Sequence, residues 1–177
     1  EGNYDMTRRI SINFNATFQQ SNIEDTGTVI QSEFVKMPDK KVNTLSKTVL
    51  TELASHVEQL EKRTDLKGLL FRSGKPGQFI AGADLNELAA LIDASHEQCQ
   101  QAIAAGHALF SRVSRLPFPV VALVDGNSMG GGTELILSMD YRVASTNAAT
   151  KIALPETKIG LIPGWGGTQR MTRLVGV

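Results

Sequence analysis

Apolar residues recur at helical spacing in two long stretches of the chain. Over residues 46–63, Val49, Leu50, Leu53, Ala54, Val57 and Leu60 fall on one face, which predicts an amphipathic helix. Over residues 97–114, Ile103, Gly106, Leu109, Phe110 and Val113 line one side of a second helix, stopped by Leu116-Pro117-Phe118-Pro119. Shorter helices are expected at residues 85–92 and 133–139, and another opens from the glycine loop 163–167 and runs to the end. Between the helices lie β-type patterns. Residues 28–37 read as a strand, 38–41 as a turn, and 68–72 as a short buried strand. Residues 120–124 are apolar without a break, the pattern of a strand buried on both faces. Residues 142–144 and 151–153 read as short strands, and 73–82 as a Gly/Pro loop. Residues 1–25 are polar and irregular, apart from a candidate strand near residues 10–18. Strands alternating with helices predict an α/β fold.

Composition narrows the class. The chain has 177 residues, one domain's worth, with 41% apolar and 20% charged residues, as in ordinary globular proteins. Its 18 basic and 18 acidic residues cancel, which argues against a nucleic-acid or anionic-membrane partner. The single cysteine, Cys99, excludes an internal disulfide and a cysteine-rich metal site, and reads as a small apolar filler on a helix. No apolar run approaches the roughly 20 residues needed to cross a bilayer. The polar start Glu1-Gly2-Asn3-Tyr4-Asp5 lacks a signal-peptide core, so a cytoplasmic protein is expected, or a mitochondrial or peroxisomal matrix one in a eukaryote. The end, Leu174-Val175-Gly176-Val177, carries no closing element and reads as part of something longer.

Candidate chemistry gathers at glycine-bearing turns. Gly130-Gly131-Gly132, directly before a predicted helix, offers backbone N–H groups that no helical carbonyl satisfies, and the helix dipole adds positive potential there. An oxygen gaining negative charge is stabilised at such a site, each donor lowering a barrier by about 2.7–4 kcal/mol. A second donor is expected from Ala83, in Phe79-Ile80-Ala81-Gly82-Ala83-Asp84. Two carboxylates accompany these loops, in segments that read as the ends of strands: Glu134, just past the triple glycine, and Glu156, in Leu154-Pro155-Glu156. An oxyanion site with two acid/base groups suffices to add or remove water across an activated double bond. Each feature also has a plainer explanation. A glycine loop alone is a tight turn, and Glu134 alone is a carboxylate favoured in the first turn of a helix. Glu156 follows the apolar passage Ile152-Ala153-Leu154-Pro155, where an unpaired charge costs desolvation and burial raises a carboxyl pKa toward the proton-transfer range.

Other motifs fare worse. Gly126-Asn127-Ser128-Met129-Gly130 matches the nucleophile elbow of hydrolases, but His56, His96 and His107 all precede Ser128, where that motif requires a later histidine. The three histidines read as exposed positions on helices. No P-loop occurs. Gly164-Trp165-Gly166-Gly167 lacks the last position of a dinucleotide fingerprint and reads as a tight loop feeding a helix N-terminus.

Taken together, Phe79 to Leu85, Gly130-Gly131-Gly132-Thr133-Glu134-Leu135, and the run from Ala153 through Leu154-Pro155-Glu156-Thr157-Lys158 to Gly166-Gly167-Thr168-Gln169-Arg170 resemble the crotonase, or enoyl-CoA hydratase/isomerase, superfamily. Val42-Asn43-Thr44-Leu45 and the Leu-Pro-Glu-Thr-Lys run look most like the hydratase part of multifunctional fatty-acid-oxidation α-subunits. The resemblance implies a crotonase-like ββα superhelix, cut short at the C-terminus, over residues 26–177, with residues 1–25 as an N-terminal extension. It implies hydration of trans-2-enoyl-CoA to 3-hydroxyacyl-CoA in fatty-acid β-oxidation. Ala83 and Gly131 would donate to the thioester oxygen. Ala81, Ala83, Asp84, Leu85, Asn86 and Gly131 would contact the acyl-CoA. Glu134 would activate the water and Glu156 would protonate Cα. No metal or redox cofactor is implied, since CoA is part of the substrate. The implied partners are an acyl-CoA thioester and, for the parent, a homotrimer or a thiolase-containing complex. Double-bond isomerisation, thioester hydrolysis and non-catalytic acyl-CoA binding are the alternatives. Asn86 stands where several relatives carry lysine, Thr133 stands for a common cysteine, and the loop at residues 145–150 is about two residues longer than usual.

Overall fold

The computed structural model describes residues 9–14, 34–35 and 42–176. Its strands are β1 (Arg9–Phe14), β2 (Phe34–Val35), β3 (Gly68–Ser73), β4 (Gln78–Ile80), β5 (Val120–Val124), β6 (Asn127–Met129), β7 (Tyr141–Ala144) and β8 (Ile152–Ala153). Its helices are α1 (Lys47–Glu61), α2 (Leu85–Ala90), α3 (His96–Val113), α4 (Gly131–Leu137) and α5 (Gly167–Val175), with a 3-10 turn at Glu156–Ile159. Every strand pairing among the described residues is parallel. One sheet has the order β2-β1-β3-β5-β7 and the other β4-β6-β8. Successive strand pairs, β3 with β4, β5 with β6, β7 with β8, therefore give one strand to each sheet before helical structure returns the chain. That repeat is the crotonase-like ββα spiral that the resemblance implies.

The helices form where their patterns predict. Ser46 caps α1, its Oγ accepting from the Val49 N–H at 3.4 Å, and Val49, Leu53, Val57 and Leu60 bury one stripe. Ser95 and Gln98 close a capping box on α3: the Gln98 N–H donates to Ser95 Oγ at 3.2 Å, and the Ser95 N–H to Gln98 Oε1 at 2.9 Å. Gly106, Leu109, Phe110 and Val113 are buried, while Ile103 at the edge of the stripe stays 48% exposed. These stripes meet Leu69 and Phe71 of β3 and Val120, Ala122 and Val124 of β5 in one core.

Several expectations need correcting. The loop expected at residues 73–82 contains β4, and the chain between β5 and the triple glycine forms β6. Both are three-residue strands framed by glycine, extended only because they pair across the chain. On β5 one face is buried but Val121 and Leu123 are only half-buried, so it is not enclosed on both sides. α4 begins at Gly131 rather than residue 133, which puts two of the three glycines inside the helix. Glu134 thus sits in a helix and Glu156 opens a 3-10 turn, so neither ends a strand. The candidate strand near residues 10–18 is present as β1, shifted to Arg9–Phe14, and lies between β2 and β3 in the larger sheet. Of the strand expected at residues 28–37 only Phe34–Val35 lies among the described residues, and the turn at 38–41 lies outside them.

Candidate active site

The N-terminus of α4 organises the site. Gly130 takes φ 49° and ψ −122°, a conformation that L side chains rarely adopt. It turns the chain from β6 into the helix, so the N–H of Gly131, the first helical residue, has no carbonyl one turn back to bond. The smaller sheet brings the 79–84 loop beside it. Leu45 forms a parallel bridge with Ala83, its N–H donating to the Gly82 carbonyl at 2.8 Å. The same leucine's Cδ1 lies 3.4 Å from where a Cβ on Gly131 would sit. The two backbone donors expected from the sequence, Ala83 and Gly131, are thus neighbours across one side chain.

Both carboxylates reach the same helix end, by different routes. Glu134 is only 3% exposed. Its Oε1 accepts the Trp165 N–H at 2.7 Å and the Gly167 N–H at 2.8 Å, from the loop that opens α5. Gly167 has to be a glycine here, because a Cβ would stand 2.9 Å from Glu134 Cγ. Burial holds the Glu134 carboxyl above its ordinary value. The negative charge of Glu156 pushes the same way, while the two N–H groups and the Arg170 guanidinium pull it down. Glu156 is half-buried, and its Oε1 lies 2.9 Å from the Cβ position on Gly130. Its Oε2 is buried with no hydrogen-bond partner among the described residues.

Thr133 draws the two acids together. Its hydroxyl lies 2.6 Å from the Ser128 carbonyl of β6 and 2.8 Å from the Ala153 carbonyl of β8, between two acceptors. The Gly130 N–H also donates to Ala153, at 2.9 Å. The end of β8, three residues before Glu156, is therefore fastened to the start of α4.

The remaining expected residues are spread around this centre. Ala81, Leu85 and Asn86 are exposed, with Leu85 at 68%. Asp84 is buried and caps α2, its Oδ1 accepting from the Asn86 N–H at 3.0 Å and its Oδ2 from Thr44 Oγ1 at 3.4 Å. Ser128 of the apparent nucleophile elbow lies inside β6, wholly buried, so its hydroxyl is not presented at an exposed turn. His96 and His107 are exposed on α3, whereas His56 on α1 is half-buried. Cys99 is half-buried, with Sγ 3.6 Å from the Leu91 carbonyl. Among the described residues, no cluster of histidine, cysteine and carboxylate residues is suited to a metal ion, and no helix is long and apolar enough to cross a membrane.

The sequence pattern of the enoyl-CoA hydratase/isomerase family matches residues 26–177. The chain belongs to this family. It is 43% identical over 144 residues to the fatty acid oxidation complex subunit alpha of Aliivibrio fischeri, covering 81% of this chain and 21% of that protein. Against the same subunit of Vibrio cholerae it is 45% identical over 145 residues, covering 81% and 20%. Among solved structures, enoyl-CoA hydratase from Bacillus anthracis superposes with a TM-score of 0.66 at 36% identity, covering 76% of this chain and 50% of that one. An enoyl-CoA hydratase from Geobacillus kaustophilus gives 0.71 at 31% identity, covering 77% and 50%. The chain thus spans about half the length of these solved hydratases and about a fifth of the curated α-subunits.

Within this crotonase-family site, sequence reasoning missed what holds Glu134. The loop at residues 163–167 read only as the entry to a helix. Its two N–H donors lie 31 and 33 residues from their acceptor, beyond any local pattern. A faint signal existed in the second glycine cluster, Gly164-Trp165-Gly166-Gly167, since two adjacent glycines at a helix start permit close approach by another group.

Proposed function

We propose that the protein hydrates trans-2-enoyl-CoA thioesters to 3-hydroxyacyl-CoA. The observation that carries this reading is the pair of carboxylates meeting at one helix N-terminus beside two backbone donors. The N–H groups of Ala83 and Gly131 donate to the thioester oxygen as it becomes an enolate oxygen, which makes Cβ electrophilic. Glu134 takes a proton from water as the water oxygen bonds to Cβ. Glu156, carrying a proton when substrate is bound, gives it to Cα as the C–C double bond becomes single, and the proton taken up by Glu134 returns to Glu156 through solvent before the next turnover. One water is consumed and no electrons leave the substrate. Burial holds the Glu134 carboxyl above its ordinary value, which makes its carboxylate a stronger base than an exposed one and suits a group that takes and returns a proton. Ala81, Asp84, Leu85 and Asn86 flank the nucleotide end of the ligand, Asp84 through its backbone because its carboxylate is committed to the α2 cap.

The test is crotonyl-CoA in the full-length protein, followed by loss of the enoyl absorbance and by product identity. Formation of 3-hydroxybutyryl-CoA supports the proposal. Free CoA would point to thioester hydrolysis, and a shifted double bond with no added water to isomerisation. Binding without turnover would leave an acyl-CoA-binding module.

A further inference from the structure

Arg170 is the residue on which the Glu134 clamp converges. It lies on the first turn of α5, its N–H bonding the Gly166 carbonyl at 3.0 Å. Its side chain turns back over the loop. Nη1 donates to the Trp165 carbonyl at 2.7 Å, and Nη2 lies 3.5 Å from Ser111 Oγ on α3. Gly166, at φ 101°, leaves the space that the guanidinium fills; a Cβ there would run into it. A peptide unit is planar, so fixing the Trp165 carbonyl fixes the 165–166 plane. That plane lies between the two N–H groups, of Trp165 and Gly167, that hold Glu134 Oε1.

The indole of the same residue carries the link further. It packs edge-on to Phe110 at a centroid distance of 5.4 Å, lies against Gly106 of α3, and brings Cζ3 to 2.7 Å from the Cβ position on Gly131. Moving the loop therefore moves both the carboxylate clamp and the packing on the Gly131 donor.

We propose that Arg170 is a positioning residue for Glu134, locking the Trp165–Gly166 peptide so that its flanking N–H groups stay aimed at Oε1. The planar fork suits the task because it spans two acceptors on different elements, which an ammonium cannot do in the same way. Arg170 touches no reacting atom in this scheme. The proposal rests on the reading of Glu134 as the group that activates water, and its test separates the two.

In the full-length protein, Arg170→Gln should lower kcat for crotonyl-CoA hydration by about 10–10²-fold with KM nearly unchanged, the expected cost of a misplaced catalytic group. Introduced into Glu134→Gln, the same change should lower kcat by less than about threefold, since no base remains to misplace. An equal factor in both backgrounds, or a rise in KM alone, overturns the proposal. If Glu134→Gln itself turns over like wild type, the hydratase reading falls, and the positioning role is judged by nuclear magnetic resonance instead. The amide signals of Trp165 and Gly167 report Glu134 as pH changes. In Arg170→Gln both should shift, and their titration should move to higher pH as the nearby positive charge is lost. Glu156 is the other charge facing Glu134, with Arg173 on α5 and His107 on α3 beside the arginine. Unchanged amides overturn the proposal. Should Arg170→Gln fail to fold, Arg170→Lys keeps the charge and loses the fork; wild-type kcat and amide signals in that variant overturn it equally.

Discussion

Glu134 and Glu156 stand against the same helix N-terminus, yet the chain holds them differently. Glu134 is enclosed. Two N–H groups fix one oxygen, Arg170 and Trp165 back the loop that supplies them, and α5 closes over the side chain. Glu156 opens a short 3-10 turn that ends at Ile159 and leads to Leu161 and Ile162, all three exposed, with Ile162 at 77%. One of its oxygens is buried and unbonded among the described residues. The first carboxylate is prearranged by the fold and strains it by its burial. The second keeps a hydrogen-bonding position that the described residues leave unused. Enclosure fixes the geometry of the first, while the second keeps a buried oxygen that no described group engages.

The largest effects should fall on activity. Glu156→Gln and Glu134→Gln should each slow hydration by about 10²–10⁴-fold, because each removes one proton-transfer group. Steady-state turnover of crotonyl-CoA measures this, and wild-type-like turnover in either variant would refute the role given to that residue. The contrast between the two regions then predicts unequal effects on stability. Trp165→Ala should cost about 3 kcal/mol by urea unfolding, for the lost packing on Phe110 and the cavity left behind. Ile162→Ala, at an exposed position near Glu156, should change stability by less than about 0.5 kcal/mol. Similar losses at the two sites would show that the clamp is no better packed than the turn.

A smaller effect follows from the raised Glu134 pKa. Its ordinary value is 4.5, and burial holds the folded-state value higher. Below 4.5 the group is protonated in folded and unfolded chains alike. As pH rises from there, the unfolded chain ionises first and the folded state loses stability until its own carboxyl has ionised. Glu134→Gln removes that loss. Its melting temperature should exceed that of wild type at pH 7, and the difference should vanish near pH 4, as seen by circular dichroism. A constant difference across that range would mean that the carboxylate is not strained. The smallest effect serves as a control: Arg112→Ala breaks a bidentate pair with Glu61 at 2.8 Å that joins α3 to α1 on the surface. It should cost about 0.5 kcal/mol and leave kcat unchanged.

Much of this arrangement was legible in the chain. α1 and α3 were plain because their apolar residues repeat every helical turn and their caps are local. Glu134, Glu156, Gly131 and Ala83 stood out only in combination, as two glycine-bearing loops accompanied by two carboxylates. β4 and β6 were not legible, since three residues carry no periodicity and their extended form comes from strand partners elsewhere in the chain. Thr133 read only as standing for a common cysteine, and no local pattern showed that its hydroxyl ties β6 and β8 to α4.

The residues alone determined an α/β domain with this family's motifs, because helical periodicity, capping and glycine geometry act over a few neighbouring positions. Only the tertiary structure decided that Trp165 and Gly167 would clasp Glu134, that Arg170 would brace them, and that the end of β8 would carry Glu156 to the same helix. These contacts join residues far apart in the chain, and a hydrogen bond between them exists only once the sheets have stacked.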